Sequence, residues 1–283
     1  MNNKILIVAH GDLDGITSAA LLSEQLKIES EDLNVVFTQP FLVDKIIIPE
    51  EVDQVYVVDI AVNNRDREMT FNFIRSLRGK LIQWYDHHKG WNLMTDLRMK
   101  ISNDRSCAEY IGGWELCCDI RVMDAITADT RKGELSLTGQ LIERAVKSDM
   151  GNDNIRMWAV KLLMGDEDYR QPLKAAERAY QLVENETDRL SHGYIVDEQV
   201  AYVDAIGSNH AYDLTQLLLA GQELATFAVV KTVNPVTSEE MVTVATKSGI
   251  NLVELFGLVS GSPFRVSLPV ARLEEVLRKL EVA

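Results

Sequence analysis

HGDLDG, residues 10–15, places one imidazole and two carboxylates between two apolar segments. The preceding run Ile5–Val8 is continuously apolar, which is typical of a strand buried on both faces of a parallel sheet. After Gly15, apolar residues recur at helical spacing from Ile16 to Leu26. The motif is therefore predicted to form a strand-to-helix turn. Such a turn lies at the carboxyl end of a strand, where open α/β sheets place their ligand sites.

The composition is that of an ordinary globular protein. Its 283 residues are 46% hydrophobic and 25% charged, and this length predicts one large domain or, more readily, two. Three cysteines, two of them adjacent, form neither a disulfide framework nor a zinc motif. No apolar run approaches the roughly 20 residues that span a bilayer, and the first residues lack a signal-peptide pattern. We therefore expect a cytoplasmic protein with reduced thiols and no membrane partner.

The charge balance limits the class of partner. The formal net charge is −14, and no run of the sequence is rich in lysine or arginine. Proteins that hold long nucleic acids usually carry basic patches that neutralise the phosphates. A phosphate-bearing substrate is therefore expected to be short, or metal ions must supply positive charge, and binding of long duplexes is not expected.

The periodicity predicts an α/β fold in two parts. Strand patterns at Lys4–Ala9, Asn34–Thr38, Gln54–Asp59 and Lys80–Asp86, with helix patterns at Ile16–Leu26 and Arg67–Leu77, predict a parallel sheet with right-handed crossovers. The pattern is mainly helical from Ala108 to about Met164. We predict a metal-binding catalytic domain at 1–165, a helical connector at 166–194 and a smaller α+β domain at 195–283. Within the last, EQVAYVDAI, ATFAVVKTV and MVTVATKS are predicted strands, and Tyr212–Leu219 and Arg272–Leu280 are predicted helices.

Acidic residues and imidazoles recur where the predicted strands end. Asp59 ends QVYVVDI, the sequence DHH ends KLIQWYDHH, and Asp129 lies in DAITADT. Each feature alone is common in capping turns, but HGDLDG, Asp59 and DHH, all three at predicted strand ends, together favour a functional cluster. Because parallel strands bring their carboxyl ends to one edge, we expect the following residues to converge: His10, Asp12, Asp14, Asp59, His87 and Asp129. Carboxylates mixed with imidazoles suit manganese or a similar ion, and their mutual repulsion favours a site with two metals.

Five segments together resemble the successive motifs of a known family. HGDLDGITSAALL, VVDIAVN, YDHH, SCAEY and TADT, within residues 4–130, are similar to the motifs of the DHH phosphoesterase superfamily. That family contains RecJ-type single-strand exonucleases, nanoRNA and cyclic-dinucleotide phosphodiesterases, and family II inorganic pyrophosphatases. The resemblance implies an α/β domain that holds two divalent cations, manganese or magnesium.

The resemblance also assigns roles by position. It implies that Asp59 bridges both ions and that the further metal ligands are Asp12, Asp14, His87, Asp129 and His10. Asp86 would orient His87, as ligating imidazoles require. His88 would contact the substrate phosphate. Asp124 is the alternative to Asp129 for the fourth motif.

A weaker resemblance covers residues 246–264, TKSGINLVELFGLVSGSPF, which is similar to the substrate-binding DHHA1 domain of many family members. Ser248, Gly249 and Asn251 match its first part and are the implied substrate contacts. Residues 261–263 stand where a glycine-rich loop with a histidine is expected, and that histidine is absent. Arg265 is the candidate replacement, because its planar fork matches phosphate geometry. An ordinary turn followed by a surface arginine is the alternative.

The function expected from the residues and the resemblance together is that of a two-metal phosphodiesterase acting on short single-stranded oligonucleotides or dinucleotides. One alternative is a single-strand exonuclease acting on longer DNA. The other is a catalytically inactive DHH scaffold that binds partners. RNA, DNA and cyclic dinucleotides all remain open as substrates, and so does a homodimer.

Overall fold

The computed structural model describes residues 4–63, 66–77, 79–88, 98–102, 104–130, 132–192, 194–197, 199–206, 210–221, 225–234, 237–258 and 263–283. The chain divides into two units, Met1–Tyr180 and Gln181–Ala283. The division falls inside one long helix and inside the segment 166–194 that we interpreted as a connector. The exact domain limits stay a prediction.

A five-stranded parallel sheet forms the centre of the first unit. Its strands are β1 (Ile5–His10), β2 (Val35–Thr38), β3 (Gln54–Val58), β4 (Leu81–Asp86) and β5 (Met99–Ile101). They lie in the order β2-β1-β3-β4-β5, and every neighbouring pair is parallel. All carboxyl ends therefore meet at one edge, as predicted from the apolar strand patterns.

Helices cover both faces of this sheet, which explains why its central strands are apolar throughout. The helices are α1 (Leu13–Gln25), α2 (Arg67–Ser76), α3 (Cys107–Gly112), α4 (Ile120–Thr130), α5 (Leu137–Ser148) and α6 (Asp153–Leu163). Side chains alternate along β1, so that Ile7 packs in the core with α1 and Leu6 packs in the core with Phe73 of α2. The helix α7 (Arg170–Ser191) follows.

The second unit is built on a mixed sheet. Its strands are β6 (Ile195–Asp197), β7 (Val200–Asp204), β8 (Phe227–Val233), β9 (Glu240–Thr246) and β10 (Arg265–Pro269). The order is β10-β9-β8-β7-β6, and only the pair β7–β8 is parallel. One face packs with α8 (Ala211–Gly221), and the other packs with α9 (Leu252–Leu255) and α10 (Leu273–Glu281). The α/β prediction, with a smaller second sheet domain, is confirmed.

Three strands were absent from the prediction: β5, β6 and β10. The first two have three residues each, which is too short for a detectable alternation of polar and apolar residues. The third lies at a sheet edge and ends in Pro269, a residue that is tolerated there because the edge needs fewer N–H donors. Among the described residues, no helix combines the length and the apolar character needed to cross a bilayer.

Candidate metal centre

The HGDLDG turn presents three potential ligands from the junction of β1 and α1. His10 is the last residue of β1, Asp12 caps α1 by accepting a hydrogen bond from the Gly15 N–H at 3.1 Å, and Asp14 lies in the first helical turn. A Cβ atom at Gly15 would lie 2.3 Å from the His10 carbonyl oxygen. Glycine is therefore required at residue 15 because the helix starts against the end of its own strand.

Asp59 follows β3 in a backbone conformation that is unusual for its residue type. Its φ is 58°, in the left-handed region, and its N–H donates to the Tyr85 carbonyl of β4 at 2.9 Å. Such a conformation costs on the order of 1–3 kcal/mol for residues other than glycine, although aspartate is among those that tolerate it best. The side chain is only 2% exposed. A strained, buried carboxylate at a strand end indicates a functional position.

His87 brings three of the predicted ligands together. Its Nε2 atom lies 3.0 Å from Asp129 Oδ2, 3.4 Å from Asp59 Oδ1 and 3.5 Å from Asp14 Oδ2. One imidazole N–H can serve only one of these oxygens well. The carboxylates come from α1, α4 and the end of β3, so this convergence depends on the whole first unit.

His10 forms a second point of convergence. Its Nδ1 atom lies 2.8 Å from Asp12 Oδ2 and 3.7 Å from Asp59 Oδ2, and its Nε2 atom contacts Gln39 Oε1 at 2.9 Å. Gln39 directly follows β2 and was not predicted as a site residue. The strand-end argument applied to Asp59 would have identified it, had it been extended to amides.

Asp59 is shared by two of three groups whose ligand atoms lie within 4.8 Å of one another. The groups are His10–Asp12–Asp59, Asp59–His87–His88 and Asp14–His87–Asp129. Asp59 Oδ2 is the oxygen nearer to His10, and Asp59 Oδ1 is the oxygen nearer to His87. One carboxylate thus turns its two oxygens towards two different imidazoles.

The polar atoms of this cluster fit divalent cations. Three of its buried atoms lack a hydrogen bond of ordinary geometry within the described part of the chain, namely His10 Nδ1, Asp59 Oδ1 and His87 Nε2. Bonds of about 2.1 Å from one ion to two neighbouring octahedral ligands put those ligands about 3.0 Å apart. The contacts of His10 with Asp12 and of His87 with Asp129 are close to this spacing.

Mutual repulsion and burial raise the pKa of two of the carboxylates. Burial, with the charges of Asp129 and Asp12, raises the pKa of Asp14 to about 7. Burial, with the charges of Asp14 and Asp12, raises the pKa of Asp59 well above its ordinary value. Crowded carboxylates must take up protons or cations to remain together.

The pKa values of the two imidazoles are also raised, although burial alone would lower them. Although burial lowers it, the pKa of His10 rises to about 9, mainly because of Asp12. The pKa of His87 rises to about 9 against burial because of Asp129 and Asp14. Burial raises the pKa of Asp12, but the charge and hydrogen bond of His10 and the hydrogen bond from the Gly15 N–H together outweigh it and lower that pKa below its usual range. Without metal ions the cluster is therefore held together by protons on its nitrogen atoms.

The SCAEY segment fixes Asp14. Its backbone N–H groups at Cys107 and Ala108 donate to Asp14 Oδ2 and Oδ1 at 2.7 and 2.8 Å. Ser106 caps α3 by accepting from the Glu109 N–H at 3.0 Å, which orients these donors. Asp14 is fully buried, so its carboxylate has one fixed orientation.

Asp86 hydrogen-bonds to a different histidine from the one predicted. Its Oδ1 atom lies 2.7 Å from His88 Nδ1, whereas we predicted that it orients His87. Side chains two residues apart lie on the same side of an extended chain, and adjacent ones point to opposite sides. His88 is 43% exposed, and its Nδ1 atom lies 3.8 Å from Asp59 Oδ1. The expected substrate contact of His88 stays a prediction.

The two candidates for the fourth motif have different contacts in the structure. Asp124 accepts hydrogen bonds from the Ser136 N–H at 2.7 Å and from the Ser136 hydroxyl at 2.5 Å. A Cβ atom at Gly139 would lie 2.6 Å from its Oδ2. Asp124 therefore joins α4 to the start of α5, while Asp129 contacts His87.

Sequence reasoning also missed Arg156 of α6. Its Nε atom donates to the Gly11 carbonyl at 2.8 Å, in the turn between His10 and Asp12. No motif marks this arginine, because it lies 145 residues from its partner and acts through the backbone.

The predicted substrate contacts of the second unit lie around the end of β9. Ser248 Oγ contacts Thr246 Oγ1 at 2.8 Å, and Asn251 caps α9 by accepting from the Val253 N–H at 3.1 Å. A Cβ atom at Gly249 would meet nothing within 4 Å. The Arg265 guanidinium lies over the Tyr212 ring, 3.5 Å from its centre. Gly261 and Ser262 lie outside the described residues.

Comparisons with known proteins show similarity in fold and not in sequence. No family model matches the chain, and no curated protein matches its sequence. The pGpG-specific phosphodiesterase PggH of Vibrio cholerae is 14% identical with a TM-score of 0.62, over 98% of this chain and 97% of that one. RecJ of Thermus thermophilus in complex with Mn²⁺ is 13% identical with a TM-score of 0.65, over 98% and 51%. The DHH domain of a member of the s1p family of ribosomal proteins is 14% identical with a TM-score of 0.61, over 99% and 86%.

Proposed function

We propose that this chain, whose fold is that of the DHH phosphoesterase superfamily, is a manganese-dependent phosphodiesterase that hydrolyses short single-stranded oligonucleotides or dinucleotides. The observation that carries this proposal is the position of Asp59, whose two oxygens face different imidazoles. A carboxylate in that position suits a bridge between two ions. The ligands of the pair would be His10, Asp12, Asp14, Asp59, His87 and Asp129.

Bound ions would supply positive charge for the phosphoryl group and would activate water for hydrolysis of the phosphodiester. The chain's own residues hold the geometry for that step. Asp14 is held by two backbone N–H groups, and Asp59 is held by its N–H bond to Tyr85. Asp86 Oδ1 lies 2.7 Å from His88 Nδ1 and orients the ring, so that with a proton on both ring nitrogens His88 Nε2 can donate to a phosphoryl oxygen.

The neighbours support the reaction class, and the charge supports the substrate size. PggH is named as a pGpG-specific phosphodiesterase, and RecJ is named as an exonuclease with bound manganese. A net charge of −14 leaves little to attract phosphates far from the metals. This disfavours the alternative of an exonuclease on longer DNA.

The inactive scaffold is the rival from another class. A scaffold that binds no metal has no need for several buried carboxylates with raised pKa values, because their repulsion lowers stability. His10 Nδ1, Asp59 Oδ1 and His87 Nε2 are buried and lack a hydrogen bond of ordinary geometry within the described residues, which also favours a site that binds metal.

In the second unit, Ser248, Gly249, Asn251 and Arg265 are proposed to contact the substrate. Ser248 and Asn251 already shape the turn after β9, and Gly249 leaves open space beside it. Arg265 stacks on Tyr212, which orients a guanidinium fork that can bind phosphate.

The test is a panel of labelled substrates with the purified protein in Mn²⁺. The panel contains RNA and DNA oligomers of increasing length, cyclic dinucleotides, 3′-phosphoadenosine 5′-phosphate and pyrophosphate. We expect hydrolysis of short oligomers or dinucleotides that is lost after chelation and restored by Mn²⁺. Failure to cleave any of them by folded, manganese-loaded protein would support the scaffold.

The same assay tests the metal. Imidazole nitrogens beside carboxylates favour Mn²⁺ over the hard cation Ca²⁺, which prefers oxygen ligands alone. Chelated protein is therefore expected to recover activity with Mn²⁺ and not with Ca²⁺. Equal recovery with both ions would contradict a site that includes His10 and His87.

A further inference from the structure

Arg156 of α6 lies under the turn that carries the first metal-site residues. It is 7% exposed, and its Nε atom donates to the Gly11 carbonyl at 2.8 Å. A second guanidinium nitrogen donates to the Met150 carbonyl at 2.7 Å, and the third contacts Asp153 Oδ1 at 3.1 Å. All three nitrogens are thus in use, so the guanidinium has one fixed position.

Gly11 is shaped for this contact. It separates His10 from Asp12, so its peptide groups connect directly to both residues. A Cβ atom at Gly11 would lie 2.5 Å from Arg156 Nε and 3.1 Å from Arg156 Cζ. The absence of a side chain at residue 11 therefore allows the guanidinium to approach the backbone of the turn.

The charge of Arg156 also suits its position. Burial lowers the pKa of Arg156, while Asp153 and Asp12 act in the opposite direction. An arginine nevertheless stays protonated in proteins, so it provides a positive charge near Asp12 at any ordinary pH. That charge offsets part of the repulsion among the carboxylates of the site.

We propose that Arg156 is a positioning residue of the metal centre, and that its hydrogen bond to the Gly11 carbonyl holds His10 and Asp12 in the arrangement that binds one metal ion. The inference rests on the proposed function, since it assumes that the cluster binds divalent cations. The inference goes beyond the proposed function because it assigns a role to a residue of α6 that forms no hydrogen bond with the side chain of a proposed ligand.

The experiment is a calorimetric Mn²⁺ titration of wild-type protein and the variant Arg156→Lys, alongside their melting temperatures in chelator. Lysine retains the charge and loses the fork that binds Gly11, Met150 and Asp153 together. We expect Kd for Mn²⁺ to rise about tenfold or more, as for other groups that orient metal ligands.

Arg121→Lys is the matched control. Arg121 is also a largely buried arginine that donates to a backbone carbonyl, Leu163 at 2.8 Å, and to the carboxylates of Glu24 and Asp119. We expect this variant to lower the melting temperature without changing Kd for Mn²⁺. If both variants weaken Mn²⁺ binding equally, Arg156 acts only through general stability and the proposal is wrong.

Gly11→Ala supplies a second approach that leaves Arg156 in place. Its added Cβ must displace the guanidinium, so we expect Kd to rise as in Arg156→Lys. Because both substitutions break the same contact between Arg156 and Gly11, their effects should not add. The double variant should bind Mn²⁺ about as tightly as whichever single variant has the higher Kd. Additive losses would overturn the proposal, as would an unchanged Kd in folded Arg156→Lys. A wild-type protein that binds no Mn²⁺ would instead refute the proposed function.

Discussion

At the scale of single residues, the candidate metal centre contains a carboxylate that weakens the metal-free fold. Asp59 combines a left-handed backbone with a buried carboxylate whose pKa is raised. His10 and His87 contact carboxylates at 2.8 and 3.0 Å, distances that fit a charged hydrogen bond in the metal-free protein as well as two ligands of one ion. Stability and metal binding should therefore respond in opposite directions to a change at Asp59.

Asp59→Asn should separate the two properties. Asparagine adopts the left-handed conformation readily and removes a buried charge. We expect the melting temperature in chelator to rise, by about 2–4 °C for each kcal/mol gained. We also expect Mn²⁺ to cause no thermal shift and turnover to be lost. Asp53→Asn, at an exposed carboxylate that accepts from the Lys4 N–H, is the control and should behave as wild type. A manganese-loaded Asp59→Asn protein with normal turnover would exclude Asp59 as the bridge.

The metal-free protein should lose stability as the pH rises from about 5 to about 9. A folded-state pKa above the unfolded value contributes stability at low pH, and that stability is lost as the pH rises through the folded pKa. This applies to Asp14 at about 7 and to His10 and His87 at about 9. The lowered pKa of Asp12 contributes stability that is constant over this range.

Melting temperatures across that range, in chelator and in excess Mn²⁺, check the prediction. Mn²⁺ replaces the protons of the cluster, so the decline should be much smaller in its presence. A metal-free melting temperature that rises with pH would contradict the arrangement of charges described for the site.

At the scale of elements, the centre depends on where strands end and helices begin. β1, β3 and β4 deliver His10, Asp59 and His87 to one sheet edge, and α4 adds Asp129. α3 contributes through its first N–H groups, which hold Asp14.

Ser106→Ala should weaken metal binding through α3. Loss of this N-cap costs about 1 kcal/mol and loosens the N–H groups that hold Asp14. We expect a melting temperature a few degrees lower and a several-fold higher Kd for Mn²⁺.

Ser136→Ala provides the comparison, because Ser136 caps α5 in the same way and bonds to Asp124. It should lower stability at least as much and leave Kd for Mn²⁺ unchanged. A normal Kd in Ser106→Ala would show that α3 does not contribute to metal binding.

At the scale of the whole molecule, the charge distribution sets the expected substrate length. The net charge of −14 means that nucleotides beyond the binding groups add repulsion without compensating contacts. The main attraction for anions would come from bound cations at the sheet edge.

Catalytic efficiency should therefore peak for short substrates. We expect kcat/KM to be highest at roughly two to five nucleotides, because the sequence has no basic track to follow a longer backbone. The measurement is kcat/KM against oligomer length at fixed salt concentration. A value that climbs steadily to about twenty nucleotides would favour the exonuclease on longer DNA.

Local pattern by itself determined most strands, most helices and the ligand candidates of this protein. The apolar runs ending at His10, Asp59 and Asp86 identify parallel strands because burial on both faces demands such runs. Parallel strands must then bring their last residues to one edge. The proximity of His10, Asp59 and His87 follows from that rule alone and requires no knowledge of contacts between distant parts of the sequence.

Only the tertiary structure decided the contacts that cross the chain. Asp129 and Asp124 both lie on α4, and only packing determines that Asp129 contacts His87 while Asp124 contacts Ser136. The tertiary structure also paired Asp86 with His88 and placed Arg156 against the Gly11 carbonyl. The physical reason is that such contacts depend on side-chain direction and on backbone atoms. A backbone carbonyl is the same in every residue and leaves no mark on the sequence.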